Sequence, residues 1–251
     1  MFRALEIAAS GMSTQQTAMD AVADNLANAE TPAFKAGQVR FEELLSAEGA
    51  GGSGWAQGVR AAGVDRDLVQ GNIQNTGKTW DLALNGPGYF PLLDGAGKEV
   101  YTRAGNFRVD SEGRLVHKSG LLVAGGISVP NGTQNIHVAE DGTVTGNPPG
   151  SDRSVALGRI EVVGFADEGG LAARGQGVFD ATDSSGPALR QSSSSGELGL
   201  GTIQQGALES SNVDKVQAMV DLINTQRAYE TASKVITAAD DMLGYANNLR
   251  R

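Results

Sequence analysis

The sequence predicts an α+β chain in which two long terminal helices, paired in a coiled-coil-like manner, flank an inserted antiparallel β-rich domain. Three observations carry this prediction. Both ends repeat apolar residues every seven positions and are poor in proline and glycine. The middle alternates short apolar runs with turn signals. Glycine, at 35 of 251 residues, is about twice its usual share of roughly 7%, so turns must be many.

At the N-terminal end, Leu5, Met12, Met19 and Leu26 recur at heptad spacing, with Ala8, Ala9, Gln15, Val22 and Ala23 at the intervening three-to-four positions. This is one face of a helix. Pro32 disfavours helix in the residue before it and closes the segment soon after Asn28. The C-terminal end mirrors the pattern with Leu222, Tyr229, Ile236 and Leu243. Asn212 is the expected N-cap, with Asp214 in the first turn. Met219 supplies a partner position, while Gln226, Ser233 and Asp240 make the other seam polar and the stripe narrow. Between Asp214 and Asn248 there is no proline and only Gly244, so a helix of about 30 residues is expected, far above the mean of roughly 11 to 12.

Between the ends, residues 48–58 hold Gly49, Gly51, Gly52, Gly54 and Gly58 and read as a flexible connector. Residues 82–84, 89–93, 99–102, 106–109, 114–117, 121–124, 135–138, 143–145 and 158–163 are strand candidates. Asp94-Gly95, Glu112-Gly113 and Asp141-Gly142 separate them, and an acidic residue before glycine is hairpin chemistry because the turn needs positive φ. The expected division is a helix and following loop over residues 1–45, a connector and extended segment over 46–77, the β-rich domain over 78–205 and the C-terminal helix over 206–251.

The composition excludes several classes. A formal charge of -9, with no block of like charges, lacks the basic footprint of a nucleic-acid binder. Without cysteine there are no disulfides, thiolate metal sites or cysteine nucleophiles. No apolar run reaches the roughly 18 to 20 residues of a membrane span, and Glu6 interrupts the stretch where a signal peptide would be apolar.

Catalytic chemistry is equally scarce. His117 and His137 each sit alone in a strand candidate, where a zinc site wants about three or four clustered ligands. Ser192 to Ser195 form a loop-like tract without a nucleophile elbow. Asn85-Gly86-Pro87-Gly88 and Gly175-Gln176-Gly177 lack the lysine and following helix of a phosphate loop. The short acidic runs starting at Asp94, Asp110 and Asp183 do not supply the alternating ligands of a calcium loop. Trp55 and Trp80 are too isolated to form a stacking platform. Asp110 and Glu112 are the one carboxylate pair a small glycan-acting enzyme could use, yet a turn places both in one hairpin loop. No catalytic, cofactor-binding or metal-binding residue is expected. That leaves the terminal helices, which periodicity alone assigns equally to an internal hairpin capping the β domain and to assembly between chains.

Three blocks of the sequence carry a recognisable pattern. The first is Ser10-Gly11-Met12, Gln15-Gln16, Met19-Asp20, Asn25-Leu26-Ala27-Asn28, Thr31 and Phe34-Lys35. The second is the run from Asp81 to Phe90, then Tyr101-Thr102-Arg103-Ala104-Gly105-Asn106-Phe107, Asp110, Gly113 and Leu115-Val116. The third, Leu208-Glu209-Ser210-Ser211-Asn212-Val213, Met219-Val220, Leu222-Ile223, Gln226-Arg227-Ala228-Tyr229-Glu230, Lys234, Ile236 and Asp241-Met242-Leu243, is similar to the signature of distal rod subunits. Together the blocks resemble the axial proteins of the bacterial flagellum, the rod, hook and hook-associated subunits, and Asn25, Asn28, Phe34, Asn212, Gln226, Arg227, Tyr229 and Glu230 are the residues that carry the motif. The chain departs at Asp24, where the family often has Asn, and at Pro32-Ala33, where a glycine commonly precedes Phe34. Residues 46–63 are also shorter and richer in glycine than the distal rod insertion.

The resemblance implies a structural subunit of the distal rod, stacking helically into a hollow drive shaft that crosses the periplasm and passes torque to the hook. Its partners would be copies of itself, neighbouring rod and hook proteins, the flagellar type III export apparatus, and the outer-membrane and peptidoglycan ring bushings. Leu5, Met12, Met19, Leu26, Leu222, Tyr229, Ile236 and Leu243 would form the subunit interface. Disorder of both helices in the free monomer is a further expectation. The alternatives are a proximal rod or other rod-like or hook-like axial subunit and, distantly, the glycan-acting enzyme.

Overall fold

A computed structural model describes residues 2–45, 56–151, 153–190 and 199–248, and the chain divides into two compact units. The first comprises Met1–Ala29, Ala36–Asp67 and Val213–Arg251; the second comprises Glu30–Lys35 and Leu68–Asn212.

In the first unit, helix α1 (Phe2–Ala27) packs against helix α2 (Lys215–Asn248) and against an antiparallel hairpin of β1 (Gly37–Leu45) and β2 (Ala56–Arg66). The heptad residues Leu5, Met12, Met19 and Leu26 are half-buried along α1. A different face of α1 serves the hairpin. There the Thr14 hydroxyl donates to Val59 O at 3.0 Å, and the Asn25 amide donates to Gly37 O at 2.8 Å while accepting from Gly37 N at 2.7 Å. Those paired bonds fix where β1 starts relative to the end of the helix.

The loop expected after α1 is therefore a strand. Its alternation was hidden because charges occupy the exposed positions, where Arg40 pairs with Asp65 and Arg60 with Glu42 across the ladder. Most of the glycine-rich connector, with Trp55, lies outside the described residues. The cap of α2 also differs from expectation. Asp214, not Asn212, caps the helix, its Oδ1 accepting from Val216 N at 2.8 Å and Gln217 N at 3.1 Å. A carboxylate there satisfies two of the orphan N–H groups and meets the positive end of the helix dipole.

The second unit is β-rich. It runs through β3 (Ile73–Asn75), β4 (Leu82–Asn85), β5 (Phe90–Leu93), β6 (Glu99–Thr102), β7 (Phe107–Val109), β8 (Leu115–His117), β9 (Leu122–Val123) and β10 (Gln134–Val138). It continues through β11 (Thr143–Asn147), β12 (Val155–Arg159), β13 (Val163–Gly164), β14 (Ala172–Gly175), β15 (Val178–Asp180), β16 (Leu189–Arg190), β17 (Thr202–Gln205) and β18 (Ala207–Glu209). The main sheet has the order β14-β15-β6-β5-β9-β8-β7, and β10, β11 and β12 form a three-stranded sheet. The strand pairs described are antiparallel. Leu82, Leu84, Phe90, Leu92, Val100, Leu115, Val144, Ile160 and Ile203 form the fully buried centre, with Trp80 packed against it.

Two late strands close this unit. β17 pairs with β4 and β18 with β3, placing Glu209 opposite Ile73. The candidate at 158–163 splits into the end of β12 and the start of β13, because the two ends pair with different strands, β12 with β11 and β13 with β16. Of the three acidic-glycine turns, Gly113 and Gly142 take the positive φ that was expected. In the first turn the role falls to Gly97, since Asp94 accepts from Ala96 N and Lys98 N and winds a longer turn around its own carboxylate.

Ala33 is buried at φ +55, a left-handed conformation that strains any residue with a Cβ. Ala33→Gly should therefore raise stability by roughly 0.5–1 kcal/mol, read as a shift in the urea midpoint.

His117 is buried in β8, edge-on to the Phe107 ring, and its Nδ1 accepts from Ser119 N and meets Ser119 Oγ at 2.8 Å. That leaves the proton on Nε2, which has no hydrogen-bond partner. Burial, helped by Lys118, pushes its pKa down to about 4 from 6.5. The folded chain resists protonation more than the unfolded chain does. The stability it contributes is whole above about pH 6.5 and is lost as pH falls toward 4, on the order of 2 kcal/mol. His117→Phe should flatten the stability profile in that window, measured by denaturation at pH 7, 5.5 and 4.

Candidate functional site

Asp110 and Glu112 both pair with Arg114 on the β7–β8 turn. Asp110 also accepts the N–H groups of Arg114 and Glu112, which hold its carboxyl below the usual range. A carboxylate stabilised in its charged form is a poor proton donor at neutral pH, and Glu112 is an exposed group held on the same Arg114. His137 is exposed.

The terminal helices hold the more informative surfaces. On α2, Ala218, Leu222, Thr225, Tyr229, Ala232, Ile236 and Ala239 fall on one face and are buried or half-buried. The expected row Leu222, Tyr229 and Ile236 thus lies on the covered side of the helix within a single chain; the Leu243 side chain lies outside the described residues. The opposite face is also apolar. Val216, Met219, Val220 and Ile223 sit at i, i+3, i+4 and i+7, and are 73%, 52%, 45% and 51% exposed. Beyond a polar stretch with exposed Gln226, Arg227, Glu230 and Lys234, Val235, Met242 and Tyr245 are further exposed apolar residues toward the C-terminus. A helix apolar on both sides needs two partners, and among the described residues α1 packs against one side while the other stays exposed.

The motif residues divide in the same way. Asn25 pins β1, and Asn28 closes α1, its Nδ2 donating to Asp24 O at 3.0 Å and Asp24 Oδ1 at 2.8 Å. Asp24, where the family often has Asn, is thus a working acceptor. Phe34 O accepts from Asn212 N. Gln226, Arg227 and Glu230 are exposed on α2, while Tyr229 is half-buried.

A further cluster was not foreseen. Glu209, with its side chain fully buried, binds Lys35 Nζ through Oε1 at 2.6 Å and Arg103 Nε through Oε2 at 2.8 Å. Its Oε1 also accepts from Gly71 N at 2.9 Å. Lys35 Nζ donates to Val69 O, and Arg103 donates to Gly88 O and Gly86 O. Gly71 is obligatory, because a Cβ there would stand 2.1 Å from Ser210 O. Such a burial of charge is tolerated only when the lone pairs and protons are satisfied this fully. The signal in the sequence was faint: each resembling block carries one of these residues, Lys35 in the first, Arg103 in the second and Glu209 in the third.

Comparison with known proteins follows the same three blocks. Residues 5–35 match the flagella basal body rod protein model, 83–146 the flagellar hook protein FlgE/F/G D1 domain, and 204–249 the flagellar basal body rod FlgEFG protein C-terminal model. The chain is 38% identical to the flagellar basal-body rod protein FlgG of Caulobacter vibrioides, with 99% of each chain covered. It is 37% identical to FlgG of Borreliella burgdorferi over the whole of both chains. Against the rod protein FlgF of Caulobacter vibrioides the identity is 34%, covering 94% of this chain and 93% of that one. Fold, surfaces and matches define a structural subunit of the flagellar basal body, not an enzyme. The chain belongs to the flagellar basal-body rod protein FlgG family. No helix among the described residues is long and apolar enough to cross a membrane.

Proposed function

We propose that this chain builds the distal part of the rod, polymerising helically into a hollow shaft that carries torque to the hook. The observation that carries this reading is the second apolar face of α2. An unfilled face on a long helix is what a head-to-tail, non-closing interface uses to build a filament. Leu5, Met12, Met19, Leu26, Leu222, Tyr229, Ile236 and Leu243 then hold the helical layer together, and the row from Val216 to Ile223 meets the neighbouring copy. The distal assignment is supported by the higher identity to FlgG than to FlgF within one organism. Delivery by the flagellar type III apparatus and contact with neighbouring rod and hook proteins and with the ring bushings belong to the same reading. Amide exchange on a dilute monomer reads the state of the terminal helices before assembly: protected helices would remove the expectation that they order only on joining the growing tip.

The test is electron microscopy of the purified full chain, concentrated well above micromolar, beside a chain lacking residues 1–28 and 212–251. Tubes or filaments from the full chain alone are expected. Assembly by the truncated chain would move the interface to the β-rich unit.

A further inference from the structure

The chain passes between its two units four times, after Ala29, Lys35, Asp67 and Asn212. Within the second unit, the segments that begin or end at these crossings are all tied to one carboxylate and its immediate partners. Glu30–Lys35 is held by Lys35 Nζ on Glu209, by Ala33 N donating to Glu209 O at 2.8 Å, and by Phe34 O accepting from Asn212 N. The stretch starting at Leu68 is held by Val69 O, which accepts from both Lys35 Nζ and Asn212 Nδ2, and by Gly71 N on Glu209 Oε1. The stretch ending at Asn212 contains Glu209 itself, with Ser210 N donating to Asn72 O. Arg103 then carries the cluster to the carbonyls of Gly86 and Gly88, beside β4 and β5.

We infer that Lys35, Glu209 and Arg103 form a load-sharing clasp, a role that rests on the torque-bearing reading above. Pulling on Asn212 alone would open the short β18–β3 ladder one pair at a time, beginning at Glu209↔Ile73. Unzipping of that kind needs little force because each bond is loaded singly. With the clasp closed, Glu209 cannot leave without Lys35, Gly71 and Arg103 yielding together, so the bonds are loaded in parallel. The chemistry suits the task, since charge-assisted bonds inside a desolvated site are the strongest noncovalent ties a protein has.

The chain has no cysteine, so Lys118→Cys on the second unit and Lys234→Cys on α2, both exposed, give unambiguous handles for single-molecule pulling of the full-length monomer. The step that opens the second unit is recognised by its length gain. Lys35→Met and Asn212→Ala should each shift its force distribution downward. Arg114→Ala, which removes the exposed ion pairs of the β7–β8 turn, should leave it in place. An unchanged distribution in Asn212→Ala and Lys35→Met, or an equal drop in Arg114→Ala, overturns the clasp. If Lys35→Met does not fold, Asn212→Ala decides, since it truncates a half-buried amide and leaves all three charged groups in place. Pulling is done on monomers, so its result and that of the filament test fail independently.

Discussion

Glu209→Ala should cost the second unit about 3–5 kcal/mol, the usual effect of breaking a buried ion pair and leaving its partners uncompensated. Two cations, Lys35 and Arg103, would remain in a site where their side chains are 3% and 5% exposed, and Gly71 N would lose its acceptor. This approaches half of a typical domain's total stability. The unfolding midpoint in urea, followed by circular dichroism, reads it. Glu209→Gln should fall between, because an amide can still accept from Gly71 N but cannot neutralise two charges. Changing all three residues together to apolar ones of similar volume should cost less than Glu209→Ala, since no unpaired charge is then buried. A loss below about 1 kcal/mol for Glu209→Ala would mean that water replaces the carboxylate and that the cluster is not sealed.

Val220→Asp combined with Ile223→Asp should abolish filaments while leaving the monomer's melting unchanged. Both side chains are about half exposed, so a monomer loses little when they become polar, whereas an interface must desolvate two carboxylates. Surface substitutions of this kind usually stay within about 0.5 kcal/mol in the free protein, but a buried unpaired charge is worth several. Leu222→Asp is the informative contrast, because its side chain lies on the covered face and its replacement should loosen the monomer itself. Sedimentation and negative-stain microscopy, with melting curves of the same samples, separate the two effects. Persistent filaments in the double variant would place the subunit contact on another surface.

The parts of the fold legible in the sequence are those governed by local rules. Leu5 to Leu26 and Leu222 to Ile236 announced helices because a heptad has one structural meaning over that length. Strands β4 to β11 were legible because acidic-glycine turns punctuate them. The β1–β2 hairpin was not, since Arg40, Glu42, Arg60 and Asp65 look like loop charges until the ladder pairs them. β17 and β18 were hidden for another reason. Thr202-Ile203-Gln204-Gln205 is barely amphipathic, and what makes it a strand is β4, far earlier in the chain. The clasp was beyond local reading, because a lysine, an arginine and a glutamate in three separate blocks look like surface charges before topology brings them together. The outward face of α2 was in plain view, but its residues were absorbed into a single narrow seam when the helix in fact has two.

The late strands also set a schedule. Lys35, β3 and β4 are delivered early by any chain made from its N-terminus, yet their partners β17, β18 and Glu209 come in its last quarter. Contacts of such sequence separation form slowly, because the whole intervening loop must be closed first. The second unit cannot be completed until nearly the entire polypeptide is available. A protein built this way stays threadable while it is incomplete, and finishes folding only after its last helix begins to arrive.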